Sequence, residues 1–191
     1  MPPANNVYSD KLIHLVKADP RIMNLLRAVR TLELDNWCIA AGTIRNKVWD
    51  DLHHYAVPTL PSDIDVLFYD AIHTEPAYEA EIERRLSKLV PTVRWEAVNQ
   101  ATIHTYTEDA PYHSIEEAMS RWAELVTAVG VYLTDTDEIG IIAPAGLDDL
   151  FNLKVRPNIV TANAAAVYHQ RMMTKGWLER WPKLVIEGPN A

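Results

Sequence analysis

Apolar positions along the chain keep two rhythms, and the rhythms take turns. In "SDKLIHLVKADPRIMNLLRAVRTLEL" they recur at helical spacing: Leu12, Leu15 and Val16, then Ile22, Leu25, Leu26 and Val29. Pro20 divides that stretch, so residues 9–35 read as N-terminal helices. "WCIAA" is an uninterrupted apolar run and reads as a buried strand. "TIRNKVWDDLHHY" returns to the helical period, with Ile44, Val48 and Leu52 on one face. The two-proline loop "AVPTLPS" ends it. "DIDVLFY" alternates like a strand, "PAYEAEIERRLSKLV" is a charged amphipathic helix, and "VRWEAVN" is a third strand.

Further on, Ser114 with Glu117 three residues later has the pattern of a capping box opening a helix. "AVGVYLT" and "EIGIIAP" flank "DTD" and predict a hairpin. A last helix covers 162–181. Strands interleaved with helices, plus a hairpin, predict an α/β (α+β) fold with a mixed sheet flanked by helices. No repeat or linker interrupts it, so 1–191 reads as one domain with the terminal helices packed on it.

Composition narrows the function classes. The chain has 191 residues, 48% of them hydrophobic, which is enough for a sizeable core. Its net charge of −8 argues against a general nucleic-acid binder, which carries a basic surface. The single cysteine, Cys38, excludes an internal disulfide and reads as a buried thiol. "MPPANNVYSD" has neither the basic start nor the apolar stretch of a secretory leader, and no apolar run approaches membrane-helix length. The expectation is a cytoplasmic protein with no membrane partner.

Two stretches carry candidate chemistry. Asp63 and Asp65 stand two apart in a strand-like run and therefore point to one face. Paired carboxylates repel unless a cation lies between them. Such oxygen ligands suit Mg²⁺, which is held by one or two carboxylates plus substrate phosphates. The competing reading has Asp63 capping a turn and Asp65 standing in solvent. Upstream, Gly42 permits a close backbone approach and Thr43 opens the next helix. A helix start binds phosphate through its free N–H groups, although an ordinary N-cap threonine looks the same in sequence. A phosphate cradle at a strand-to-helix turn, followed by a paired-carboxylate strand, is more specific than either part.

Gly42-Thr43 followed by "DIDV" resembles the signature of the nucleotidyltransferase superfamily typified by DNA polymerase β. More narrowly, "GTIRNKVWD", "SDIDVLFYD", "PYHSIEEAMSRW" and "APAGLDDLFNLKVRPN" resemble the bacterial family known as DUF925, over about residues 42 to 182. The chain departs from the superfamily pattern in having Thr43 where Ser or Gly is usual, and in a longer spacer from Gly42 to Asp63.

The resemblance implies transfer of a nucleoside monophosphate from a nucleoside triphosphate to a hydroxyl acceptor, with release of pyrophosphate. It implies Mg²⁺ (or Mn²⁺) held by Asp63 and Asp65, and a third carboxylate on a neighbouring strand. Glu96 is the candidate for that third group, with a solvated edge residue as the competing reading. If its strand runs on unbroken, Gln100, Thr102 and His104 share its face; they and Asn99 read as orienting groups. Arg45 is the candidate phosphate clamp, or else a surface arginine paired with Asp50 or Asp51. Lys154 and Arg156 either reach the cleft or are absorbed by the acidic "GLDDLF". Arg171 and Lys175, four apart, read as a solvated helix face. The acceptor is left open, a small molecule in preference to a nucleic acid. The alternative function is a catalytically degenerate binding or antitoxin-like module. A phosphodiesterase lacks its histidine-aspartate cluster.

Overall fold

The structure is a computed structural model that describes residues 5–107, 109–160 and 164–188. The N-terminal apolar stripe folds as α1 (Asn5–Lys17) and α2 (Pro20–Arg30). Asp19 separates them: its carboxylate accepts from the N–H groups of Arg21 and Ile22 and caps α2, with Pro20 at the first turn. The run "WCIA" is β1 (Trp37–Ala40), buried throughout. It turns directly into α3 (Gly42–His53), and His54 ends that helix in the left-handed conformation. β2 (Ile64–Phe68) follows the proline loop, then α4 (Pro76–Leu89) and β3 (Trp95–Asn99). Two short helices, α5 (His104–Thr107) and α6 (Ile115–Met119), lead to the hairpin of β4 (Gly130–Leu133) and β5 (Ile139–Ile142). Past α7 (Asp148–Phe151), β6 (Lys154–Val155) pairs with β7 (Val185–Ile186), enclosing α8 (Ala164–Thr174) and α9 (Trp177–Arg180).

The main sheet is mixed, as expected, in the order β3-β2-β1-β4-β5. β2 and β3 run parallel and the other pairs antiparallel. A parallel pair needs a crossover, and α4 supplies it. One face, with Ile39, Ile64, Val66, Phe68, Trp95 and Val131, joins the main core beneath the helices. The other face carries a smaller cluster around Cys38, Ala40 and Leu67. β3 is an edge strand, and α4 closes that edge: Glu83 accepts from the Ala97 N–H at 3.0 Å and Glu79 from the Asn99 N–H at 2.7 Å. No described helix is long and apolar enough to cross a membrane.

Two expectations need correcting. The last helix is not continuous over 162–181: Gly176, at φ 58, breaks it between α8 and α9, and residues 161–163 lie outside the described residues. The strand at Glu96 does not run on, because the chain turns at Asn99. In the sheet, β1 is the central strand and β2 lies beside it, second from an edge.

Candidate active site

The period of two sends Ile64 and Val66 into the core and leaves Asp65 on the opposite face, with Asp63 just ahead of the strand. The Ser62 hydroxyl donates to Asp63 at 3.1 Å. The parallel register then sets Glu96 directly beside Asp65. Carboxylate oxygens of Asp63, Asp65 and Glu96 lie within 4.8 Å of one another. Two of these groups were paired by strand period alone; the third arrives through the crossover. Burial pushes the Asp65 carboxyl up to about 6, and the negative charges of Asp63 and Glu96 add to it. Like charges held this close, offering only hard oxygen donors, fit a divalent ion of the Mg²⁺ class.

Because β1 is antiparallel to β2, its C-terminal end lies at the same end of the sheet as Asp63 and Asp65. There the chain bends sharply at Ala41, at φ 53 and ψ −120, and α3 begins. Gly42 is needed for closeness: a Cβ there would stand 3.1 Å from the Pro61 Cβ. Thr43 is not an N-cap, since Ala41 holds that position without a side-chain bond. Its side chain is buried at 1% exposure, and its hydroxyl has no hydrogen-bond partner. A buried hydroxyl without a partner, at a helix start whose first N–H groups also lack intrahelical acceptors, is equipped to receive an anion.

Arg45 does not pair with Asp50 or Asp51. Its guanidinium lies 5.2 Å from the Trp49 ring centroid and 4.6 Å from that of Trp177, and it donates to the Asn46 side chain at 2.9 Å. Its Nε is buried without a partner. Burial brings its pKa down to about 10, with the nearby Arg171 and Arg180 adding to the fall while Glu124 and Asp65 oppose it. Asp50 is otherwise engaged, accepting from the Thr59 N–H at 2.6 Å and from the Trp181 indole at 2.8 Å.

The remaining candidates sort cleanly. Asn99 pins the loop after β2, bonding the N–H and C=O of Asp70 and the C=O of His73. With Gln100 it sits at the far end of β3 from Glu96, so neither orients substrate there. Arg156 is absorbed by Asp149 in a two-pronged pair at 2.9 and 2.7 Å, and Lys154 stands 3.9 Å from Glu187. Arg171 is no solvated face residue. It pairs with Glu124, which is 1% exposed and 47 residues away in sequence. Sequence reasoning missed Glu124 entirely: a lone acid in "RWAELV" carries no signal of its distant partner. Cys38 is buried, and burial together with Asp65 raises its thiol far out of the reactive range.

A family model described as nucleotidyltransferase matches residues 27–186. An NMR structure described as revealing a CCA-adding enzyme head domain superposes with a TM-score of 0.82 at 30% identity, covering 94% of this chain and 95% of the other. A CCA-adding enzyme in complex with CTP matches with a TM-score of 0.61 at 16% identity over 95% of this chain. A tRNA nucleotidyltransferase complexed with a primer tRNA and an incoming ATP analog matches at 0.54 and 12%. The chain spans 43% of the length of the CTP-bound enzyme and 46% of the tRNA-bound one, and at those identities the likeness shows the fold. No curated protein matches the chain.

Proposed function

The chain belongs to the nucleotidyltransferase family, and from that premise we propose that it transfers a nucleoside monophosphate from a nucleoside triphosphate to a hydroxyl acceptor, releasing pyrophosphate. The observation that carries this reading is the convergence of Asp63, Asp65 and Glu96 at the end of the sheet where α3 begins. A module kept only for binding gains nothing from three repelling carboxylates, and the register that sets Glu96 beside Asp65 supports the enzyme over a degenerate module. The narrower DUF925 resemblance belongs to the same proposal, as does a cytoplasmic setting.

Asp63 and Asp65 would hold Mg²⁺ or Mn²⁺, with Glu96 beside them. The ion supplies charge neutralisation for the phosphates and for the attacking and leaving oxygens. Gly42, Thr43 and Arg45 receive the phosphate oxygens: the α3 N–H groups and the Thr43 hydroxyl donate, and the Arg45 guanidinium adds its charge. Glu96 accepts the proton of the acceptor hydroxyl as that oxygen bonds to the α-phosphorus. The bond from that phosphorus to the bridging oxygen breaks, and its electron pair leaves with pyrophosphate. Positioning and electrostatics account for most of the rate in such transfers.

The net charge of −8 favours a small-molecule alcohol as acceptor, and the likeness to CCA-adding enzymes makes an RNA end its competitor. The test is labelled nucleoside triphosphates with Mg²⁺ or Mn²⁺, offered with metabolite extract in one arm and RNA in the other, and Asp63→Ala as control. Label appearing in an acceptor with wild type and not with the variant supports the reading. Label in neither arm under all four nucleotides overturns it.

A further inference from the structure

We propose that Asn46 and Asp50, on α3, are positioning residues for the Asp63 carboxylate: they hold the proline loop, and through it they set that group against Asp65 and Glu96. This rests on the nucleotidyltransferase reading and gives a role to residues outside its motif.

The three carboxylates are not held alike. Asp65 lies within β2 and Glu96 within β3, opposite each other in the register. Asp63 stands ahead of β2, outside that paired register, at the end of the loop that leaves α3. The loop has little of its own to hold it. Val57 is 78% exposed and Leu60 61%, so apolar burial contributes little there. Among the described residues, no backbone group of residues 56–62 bonds to another backbone group. A segment with so few contacts opens easily unless side chains pin it.

α3 supplies the pins. Asn46 and Asp50 stand four apart, on one face of the helix, and both are buried. Asp50 Oδ2 accepts from the Thr59 N–H at 2.6 Å, and Asn46 Nδ2 donates to the Thr59 carbonyl at 3.2 Å. Both backbone groups of one loop residue, four before Asp63, are thus taken by one helix face. Each pin is fixed from its other side as well. Asp50 Oδ1 accepts from the Trp181 indole at 2.8 Å, and Asn46 Oδ1 accepts from Arg45 Nη2 at 2.9 Å. A buried carboxylate is costly unless its oxygens are bonded, so Asp50 has one favourable place to stand. Asn46 joins two parts of the site: its oxygen steadies the Arg45 guanidinium, and its nitrogen steadies the loop that delivers Asp63.

The experiment titrates Mn²⁺, without nucleotide, into wild type, Asn46→Ala, Asp50→Asn and Asp19→Ala, and reads the free ion by electron paramagnetic resonance. Hydrogen exchange of residues 55–63 is followed against that of β2 in the same proteins. Asp50→Asn turns an acceptor oxygen into a donor that faces a donor. Asp19→Ala removes the α2 cap without touching the loop, and serves as the control for lost stability. Asn46→Ala is expected to weaken Mn²⁺ about fivefold and Asp50→Asn about tenfold, the sizes of one neutral and one charge-assisted hydrogen bond. Exchange should quicken in the loop and stay unchanged in β2, and Asp19→Ala should keep the wild-type affinity. If Asp50→Asn does not fold, Asn46→Ala decides the matter. Wild-type Mn²⁺ affinity in Asn46→Ala overturns the proposal, however fast its loop exchanges, and so does unchanged loop exchange. Faster exchange through β2, or an equal loss of affinity in Asp19→Ala, shows general loosening and overturns it too. All of these leave the nucleotidyltransferase reading standing. A wild type that binds no Mn²⁺ removes the metal site, and that reading with it.

Discussion

The carboxylate cluster and the arginine–tryptophan cluster beside α3, the acidic and the basic wall of the proposed site, are built on different principles. The acidic wall is local: Asp65 lies on β2, Asp63 stands just ahead of it, and a single parallel register brings Glu96 beside them. The basic wall is assembled from afar. Arg45 sits on α3, Arg171 meets an acid 47 residues away, and Trp181 reaches Asp50 across 131. Strand period fixes the direction of a side chain wherever the strand exists, so Asp65 and Glu96 keep theirs through small changes elsewhere. The basic wall depends on three separate fastenings and on the helix break at Gly176. On the proposed reading, chemistry that tolerates no drift resides on the sheet, and substrate grip resides on residues that packing holds.

The largest effect tests whether the acidic wall does chemistry. Glu96→Gln keeps shape and hydrogen bonding but cannot take a proton. Turnover should fall by about 10² to 10⁴, with nucleotide affinity little changed. Measured single-turnover rates and binding constants separate the outcomes. A joint loss of affinity makes Glu96 a metal ligand, and an unchanged rate leaves the acidic wall with two working carboxylates.

Next in size is a break in the basic wall. Trp177→Ala removes a 4%-exposed ring that touches both Trp49 and Arg45. Denaturant unfolding should show a loss of about 3 to 5 kcal/mol. Tripolyphosphate binding should weaken while Mn²⁺ binding at the carboxylates holds. If Mn²⁺ affinity collapses with it, the walls are one unit and the contrast drawn between them is wrong.

Legibility in the sequence follows the same division. The alternation in "DIDVLF", the hairpin about "DTD" and the Ser114 cap are local rules, and each appears in the structure. Ser114 accepts from the Glu117 N–H at 3.0 Å, although Glu117 returns to the His113 N–H at 2.7 Å and not to that of Ser114. Glu96 was a candidate only because a neighbouring strand was needed; its register depends on how α4 crosses over, which no short window contains. The end of β3 at Asn99 was hidden for a similar reason. The Asn99 side chain bonds a loop some thirty residues earlier, and that tertiary demand overrides the strand-like run that follows. The Glu124–Arg171 pair, the Arg45 stack and the helix break at Gly176 are long-range packing facts. At such positions composition reports only a charged or aromatic residue.

A smaller effect tests the cost of burying charge among like charges in the acidic wall. The Asp65 carboxyl titrates near 6 when folded, above its ordinary 3.8, so its ionisation opposes folding. The penalty is absent below the ordinary carboxylate range, grows as pH rises between those two values, and is full above about 6. Its full size is about 3 kcal/mol, an upper figure for a partly solvated group. Metal-free Asp65→Asn should therefore match wild type near pH 4 and exceed it in stability at pH 8. With Mn²⁺ and nucleotide that advantage should largely close, since a ligand at a hundredfold excess over its dissociation constant stabilises wild type by about 2.7 kcal/mol and the variant forgoes most of it. Melting curves across pH, with and without metal, read both. A variant no more stable than wild type at pH 8 would mean that the carboxylates do not strain the apo protein.

The smallest effect lies at the joint between the walls. Ala41 follows β1 next to the acid strand and hands the chain to α3, and it does so at φ 53 and ψ −120, where a Cβ is strained and glycine is not. Nothing in the helix requires that conformation. It is imposed by the Ala41 N–H, which bonds the Val129 carbonyl at 3.2 Å, and by the Ala41 carbonyl, which accepts from the Arg45 N–H at 2.9 Å. These two bonds tie the turn to the β4 approach on one side and to the clamp residue on the other. Ala41→Gly relieves the strain but frees the unfolded chain, and the two oppose each other. The expected net gain is about 1 kcal/mol or less in metal-free stability, with a fall in tripolyphosphate affinity because the joint loosens. A loss of stability would show that the methyl group's packing against the small Cys38 cluster outweighs the backbone strain. An unchanged affinity would show that the two walls keep their spacing without this turn, held by Trp177 and Glu124 alone.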